Sequence, residues 1–211
     1  MMLRISVLLA ALGASAGCGV APPPPVAAPS PQASATPAPP PSSPVATPLD
    51  PDEAAVYALL IDSVFARAGA PFVVLGDSTV MGRAGEVEGV VSRRDPGFPA
   101  SAIADFEARN RIRVPIPQDL PARTPIRLLR MATFSPPNGD PDEAYARFDR
   151  DFAPATTFYL VSRPGFDAER RHAVITTGSS CGSLCGRGEV LLLVRGEHGW
   201  RVTFRTMTWI S

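Results

Sequence analysis

The sequence predicts an α+β fold: N-terminal helices packed on a mainly antiparallel sheet that ends in a four-strand meander. Three observations predict it. Asp-Pro-Asp-Glu occurs at 50–53 and again at 140–143, each time with the chemistry that opens a helix. Four runs rich in β-branched, aliphatic and aromatic residues then follow from Phe158 onward, separated by short turns, a spacing that suits sequential antiparallel strands. Ahead of both lies a proline-rich stretch without charge, which leaves one segment of ordinary domain size over 50–211.

In the first helix Asp50 is the cap, Pro51 takes the first helical position, and Glu53 has the spacing that completes a capping box. Val56, Leu59, Leu60 and Val64 recur at helical spacing, and Gly69 and Pro71 end the run. Phe72–Leu75 reads as a short buried strand. Residues 81–100, rich in Gly and Pro, read as loop. Ser101–Asn110 reads as a short helix with Ile103, Phe106 and Ala104 inward. Pro115, Pro117, Pro121 and Pro125 make 114–125 irregular, and Ile126–Met131 reads as a strand. The helix opened by Asp140 is anchored by Tyr145, Phe148 and Phe152. The meander runs are Phe158–Val161, Ala173–Thr176, Val190–Val194 and Trp200–Trp209, with a turn expected at Arg163–Gly165. In the last run the apolar set Trp200, Val202, Phe204 changes parity to Met207, Trp209, which predicts a bulge near Arg205 or Thr206.

The first residues carry one positive charge at Arg4, a short apolar run from Ile5 to Leu12, and small residues up to Gly17. This is signal-peptide chemistry over 1–17, and the run is too short for a bilayer span. Ser15-Ala16-Gly17-Cys18 resembles a bacterial lipobox, which implies a lipid on Cys18. It departs from that pattern at Ser15, where Leu is usual, and Ala14-Ser15-Ala16 is also a site for ordinary secretion. Cysteine arithmetic favours the lipid: Cys181 and Cys185 pair, and Cys18 is left for modification. Residues 18–49 then form a tether. Twelve prolines fall within 21–48, a composition that cannot bury a core and favours polyproline II. At about 3.1 Å per residue the tether would reach roughly 80–90 Å.

Formal charge is zero over the whole chain, and about −1 once Arg4 is removed with the signal. Nothing there points to nucleic acid. All basic residues are Arg, and no lysine occurs, which excludes Schiff-base and Walker-type lysine chemistry. Two histidines exclude a three-histidine metal site within one chain. Arginines crowd 93–130, and a solvated arginine surface is preferred over a lipid- or glycan-binding face. No cofactor and no metal are expected.

Phe72-Val73-Val74-Leu75-Gly76-Asp77-Ser78-Thr79 resembles the first block of GDSL-type esterases, and that resemblance implies Ser78 as a nucleophile delivered by a strand. A reactive serine needs a base and an orienting carboxylate. The candidate base is His172, preceded by Asp167 and Glu169 rather than by the family's Asp-x-x-His spacing. The family's Gly-x-Asn-Asp block is absent, and Gly-Asp-Ser is also ordinary turn chemistry. Asn138–Glu143 alternates oxygen ligands like a calcium loop, but helix capping explains the same residues. Cys181-Gly182-Ser183-Leu184-Cys185 reads as a disulfide-closed hairpin loop in an oxidising compartment. Redox and metal roles are the lesser readings of that pair. Trp200 and Trp209 read as packing residues rather than a ligand platform.

Ser162-Arg163-x-Gly165-Phe166, Ala173-Val174, Cys181-Gly182-x-Leu184-Cys185-Gly186-x-Gly188, Trp200 and Trp209-Ile210-Ser211 together resemble a pattern in uncharacterised exported bacterial proteins. The resemblance covers the last fifty residues. It implies a compartment and a fold, and it brings no activity to transfer. The functional expectation is therefore a lipid-anchored, non-catalytic domain of the cell envelope, at the outer membrane, or soluble if Cys18 is not lipidated. It would bind an envelope protein, glycan or small ligand through the stiffened loop and the nearby sheet face. The alternative is a serine hydrolase using Ser78 and His172.

Overall fold

The computed structural model describes residues 49–66, 70–82, 85–134 and 139–211. The expected signal segment, Cys18, the proline-rich stretch expected to be a tether, Gly69 and Asn138 lie outside the described residues. Helix α1 (Pro51–Leu60) continues as one π turn over Ile61–Phe65. There follow β1 (Val73–Gly76), α2 (Glu86–Arg94), α3 (Ala100–Arg109), β2 (Ile126–Leu129), the single turn α4 (Met131–Phe134) and α5 (Pro141–Phe152). The chain then runs through β3 (Phe158–Val161), β4 (Gly165–Phe166), β5 (His172–Ser180), β6 (Gly186–Gly196) and β7 (Gly199–Ile210). The architecture is α+β. One mixed sheet has the order β2-β1-β3-β5-β6-β7, with β4 paired to β5 beside that path. β1 pairs parallel with β2 and β3, and β3, β5, β6 and β7 form the antiparallel meander. No described helix is long and apolar enough to cross a membrane.

Both faces of the sheet are covered. Val73, Leu75, Val161, Ile175, Leu191 and Leu193 face α1 and its π turn through Val56, Leu60, Ile61 and Phe65. The alternate residues face the other side. There α2 and α3 cover the meander, with Val87, Val91, Ala102 and Phe106 against Val174, Val190 and Leu192. α4 and α5 cover the parallel half through Phe134, Ala144 and Phe148 against Val74 and Phe158. This is the period of two of a strand with both faces buried.

One buried carboxylate joins these layers. Glu53 is 0% exposed, and it does not reach back to complete a capping box. The Asp50 side chain caps alone, accepting from Asp52 N–H at 2.9 Å. Glu53 instead accepts from Arg163 at both oxygens, Nε at 2.9 Å and Nη2 at 2.8 Å, from Arg109 Nη1 at 3.1 Å and from the Tyr57 hydroxyl at 3.1 Å. Burial, with the Glu53 charge beside it, holds the Tyr57 phenol well above its ordinary value, so it stays a donor. Asn110 fixes the backbone that carries Arg163: its Oδ1 accepts from Arg163 N–H at 2.8 Å and its Nδ2 donates to Arg163 O at 2.9 Å. Two residues on, an added Cβ at Gly165 would stand 2.3–2.4 Å from backbone atoms of Phe106 and Ala102, so only glycine lets β4 meet α3. The Phe166 ring then takes the guanidiniums of Arg109 and Arg170 at 5.3 and 4.9 Å. Arg170 also pairs with Asp50, and Arg195 with Asp52, tying the start of α1 to the meander.

The structure corrects the sequence reading in several places. The span 81–100 is not all loop. Gly85, at φ 76°, starts α2, and Val87, Val90 and Val91 bury its inner face. Gly89 and the flanking Gly and Pro hid this helical spacing. Ala102, not Ala104, is the small inward residue of α3. Gly165 belongs to β4 rather than to a turn. The β7 bulge is not at Arg205 or Thr206. Leu193 pairs with Val202 and Leu192 with Phe204, leaving Thr203 as the extra residue. Thr208 is a second extra residue, between Met207 and Trp209. The Thr203 bulge therefore sends Val202 to the α1 side and Phe204 to the α2/α3 side despite their equal parity.

Removing one partner of a buried ion pair strands the other charge. Glu53→Ala is expected to cost about 3–5 kcal/mol in urea unfolding, whereas Arg123→Ala, which breaks the solvent-exposed pair with Asp62, should cost less than about 1 kcal/mol. Gly165→Ala should cost about 3 kcal/mol or more, because a backbone collision cannot be relieved by a rotamer.

Acid stability has a defined sign. The Arg170 bond chiefly holds Asp50 below its ordinary 3.8. At Asp167, burial pushes the carboxyl up, but the His172 and Arg171 bonds outweigh it and the net direction is down. Depressed folded values mean stabilisation that is complete above the ordinary carboxylate range and lost as pH falls through them. Tm measured against pH should be flat on the neutral side and drop below about pH 4.

Candidate functional site

Two regions compete, toward opposite edges of the sheet. The first lies at the carboxyl ends of β1 and β2, where a cleft of about 610 Å³ is lined by Asp77, Ser78, Arg113, Val114, Pro115, Met131 and Ala132. The strand order diverges here, β1 having β2 on one side and β3 on the other, and open parallel sheets bind ligands at such places. The Gly-Asp-Ser-Thr block is largely accounted for by packing. Gly76 lets Leu160 and Met131 close over the strand. Asp77 Oδ1 accepts from Met131 N–H at 3.1 Å and so starts α4. Thr79 Oγ1 accepts from Val114 N–H at 3.0 Å. Ser78 bridges to Pro115 and faces the cleft.

No histidine lines that cleft. His172 starts β5, four residues before Thr176, whose carbonyl accepts from Ser162 N–H at 3.0 Å, and β5 lies two strands from β1. A rise of about 3.3 Å per residue and a strand spacing of about 4.8 Å put His172 roughly 15 Å from Ser78. Its ring is engaged elsewhere. Asp167 Oδ2 meets His172 Nδ1 at 2.9 Å, Asp167 Oδ1 accepts from the N–H groups of Arg171 and His172 at 2.7 and 2.9 Å, and Phe98 packs edge-on at 5.9 Å. This carboxylate ties the turn between β4 and β5, in which Arg170 has φ 54°. His198 sits in the exposed β6–β7 hairpin. The residues that spacing brought together as a hydrolase set are thus held in separate structures.

The second region is the far end of the meander. Cys181 and Cys185 form a disulfide across the β5–β6 loop, with Cys181 N–H bonded to Cys185 O at 2.8 Å. Leu184, at the tip, is 86% exposed, and Met207, Trp209 and Ile210 of the edge strand β7 are 56, 46 and 73% exposed. Ser211 is held there as well, its N–H donating to Gly186 O at 2.9 Å. The two tryptophans separate. Trp200 is core, packed on Phe166 at 5.5 Å. Trp209 lies on β6: a Cβ at Gly188 would meet its Nε1 at 1.9 Å, and one at Gly186 its Cζ3 at 3.2 Å. The indole therefore packs on the sheet face, covering the glycine backbone with one side, and is 46% exposed. Beside it a cavity of about 160 Å³ is lined by Met81, Glu86, Thr176, Gly178, Gly188 and Trp209 among others. The signal for this site was present in the spacing of Gly186, Gly188 and Trp209, but only register shows that they touch.

Among the described residues no group of three or more His, Cys, Asp or Glu side chains is placed to hold a metal. The oxygen-rich run around Asp140 is a helix cap, Asp140 Oδ1 accepting from Asp142 N–H at 2.9 Å. No family model, curated protein or solved structure matches this chain.

A five-residue disulfide ring restricts the unfolded chain little. Cys181→Ser/Cys185→Ser is expected to cost no more than about 2 kcal/mol in denaturant unfolding, and intact mass with and without reductant checks the bond. Two free thiols in exported protein would refute it.

Proposed function

We propose that this chain is a lipid-anchored envelope protein whose domain is a non-catalytic binding module, recognising its ligand at the Trp209 end of the meander. The carrying observation is the exposure of Trp209, seated over Gly186 and Gly188 beside a disulfide-closed loop and a cavity. Apolar side chains held on a stiffened frame lose little entropy on binding. The alternative, hydrolysis by Ser78, has the cleft at the carboxyl ends of β1 and β2 in its favour, and no histidine among the residues that line it.

Two measurements test this. Palmitate supplied to cells should label the protein and fail to label Cys18→Ala; equal labelling would refute the anchor. A fluorophosphonate probe should leave Ser78 unmodified, whereas labelling abolished by Ser78→Ala would establish the hydrolase instead.

A further inference from the structure

Resting on the binding-module reading, we infer that the ligand of the Trp209 end is a neutral glycan, with one pyranose ring stacked on the Trp209 indole. Three features argue for it. First, the indole is seated on the backbone of Gly186 and Gly188, where any larger residue would displace it. A planar aromatic surface fixed from below and open above is a stacking platform that needs no rearrangement to bind. The C–H-bearing face of a pyranose matches such a surface, since ring hydrogens carry partial positive charge and the indole face partial negative charge.

Second, the shelf beside the platform is flat. Gly178, the strand partner of the Gly188 that lies beneath the indole, presents no side chain, while Met81, 54% exposed, supplies an apolar wall. A ring lying on Trp209 can extend over this shelf. Third, the polar groups at the cavity suit hydroxyls. Glu86 starts α2 and Thr176 stands on the same sheet face as Gly178 by strand alternation. A carboxylate accepts from two neighbouring hydroxyls at once, and a threonine hydroxyl both donates and accepts. Among the described residues lining the cavity none is cationic and two, Glu86 and Glu189, are acidic, and the arginines beside it, Arg187 and Arg205, are paired with Glu189. Phosphate- and carboxylate-bearing ligands, including anionic lipid headgroups, are thereby disfavoured. A peptide occupant would use the same apolar residues but has no need of the glycine shelf beside a carboxylate.

The test uses the mature full chain with chitotetraose, cellotetraose and maltotetraose. The two indole N–H resonances are assigned from Trp209→Phe. At least one oligosaccharide should move the Trp209 signal saturably and leave that of buried Trp200 in place. Trp209→Ala should weaken binding at least tenfold and Glu86→Gln several-fold, with Trp209→Phe in between. Circular dichroism identical to that of the unsubstituted protein shows that the variants fold. An unmoved Trp209 signal with all three sugars overturns the glycan inference, as does equal affinity of Trp209→Ala. If a crosslinker at Leu184 then joins a specific envelope protein or peptide, the glycan inference falls while the binding-module reading stands. Probe labelling of Ser78 bears on that reading alone.

Discussion

Glu53 is the constraint on which the rest depends. A carboxylate with no solvent access has to be paired, and here every partner comes from a different part of the chain: Arg163 after β3, Arg109 at the end of α3, Tyr57 one turn along α1. The cluster sets where α1 sits on one face of the sheet and where α3 approaches from the other side. Ser162 extends it, its carbonyl accepting from Tyr57 at 3.2 Å and its Oγ accepting from Thr176 N–H at 2.9 Å. A buried ion pair adds little net energy over an apolar replacement, but loss of one partner is severe. Its value lies in geometry, since the network closes in one arrangement of these elements.

The meander is shaped by where it departs from regularity. Two extra residues in β7 turn its side chains from one face to the other. The first divides Val202 and Phe204 between two cores. The second places Trp209 over the glycines of β6. Edge strands invite pairing with other chains, and bulges are one way to discourage it. β7 is thus ill suited to add a neighbouring strand, while its exposed side chains are well placed to bind through their faces.

Gly76–Thr79 shows how one short motif supports two chemistries until its neighbours are known. As sequence it resembles a nucleophile block. In the fold, Asp77 caps α4, Thr79 holds the 114–116 segment and Gly76 admits Leu160. A triad is defined by distances between side chains that are remote in sequence, and local spacing cannot supply them. The Asp167–His172 pair is a real contact, but it closes a turn.

By itself the sequence determined the α+β class, the Asp50 and Asp140 caps, the order of the meander strands and the pairing of Cys181 with Cys185. These rest on local physics: capping groups, residue periodicity, short connections and a short separation between two cysteines. Helix α2 stayed hidden because its Gly85 start and Gly89 weaken the helical signal, and only burial of Val87 and Val91 against the sheet gives it a reason to form. The buried role of Glu53, the separation of Ser78 from His172 and the seating of Trp209 on Gly188 were decided by tertiary structure alone. Each depends on register and on which faces meet, and those are fixed by packing across more than a hundred residues rather than by any neighbouring stretch of chain.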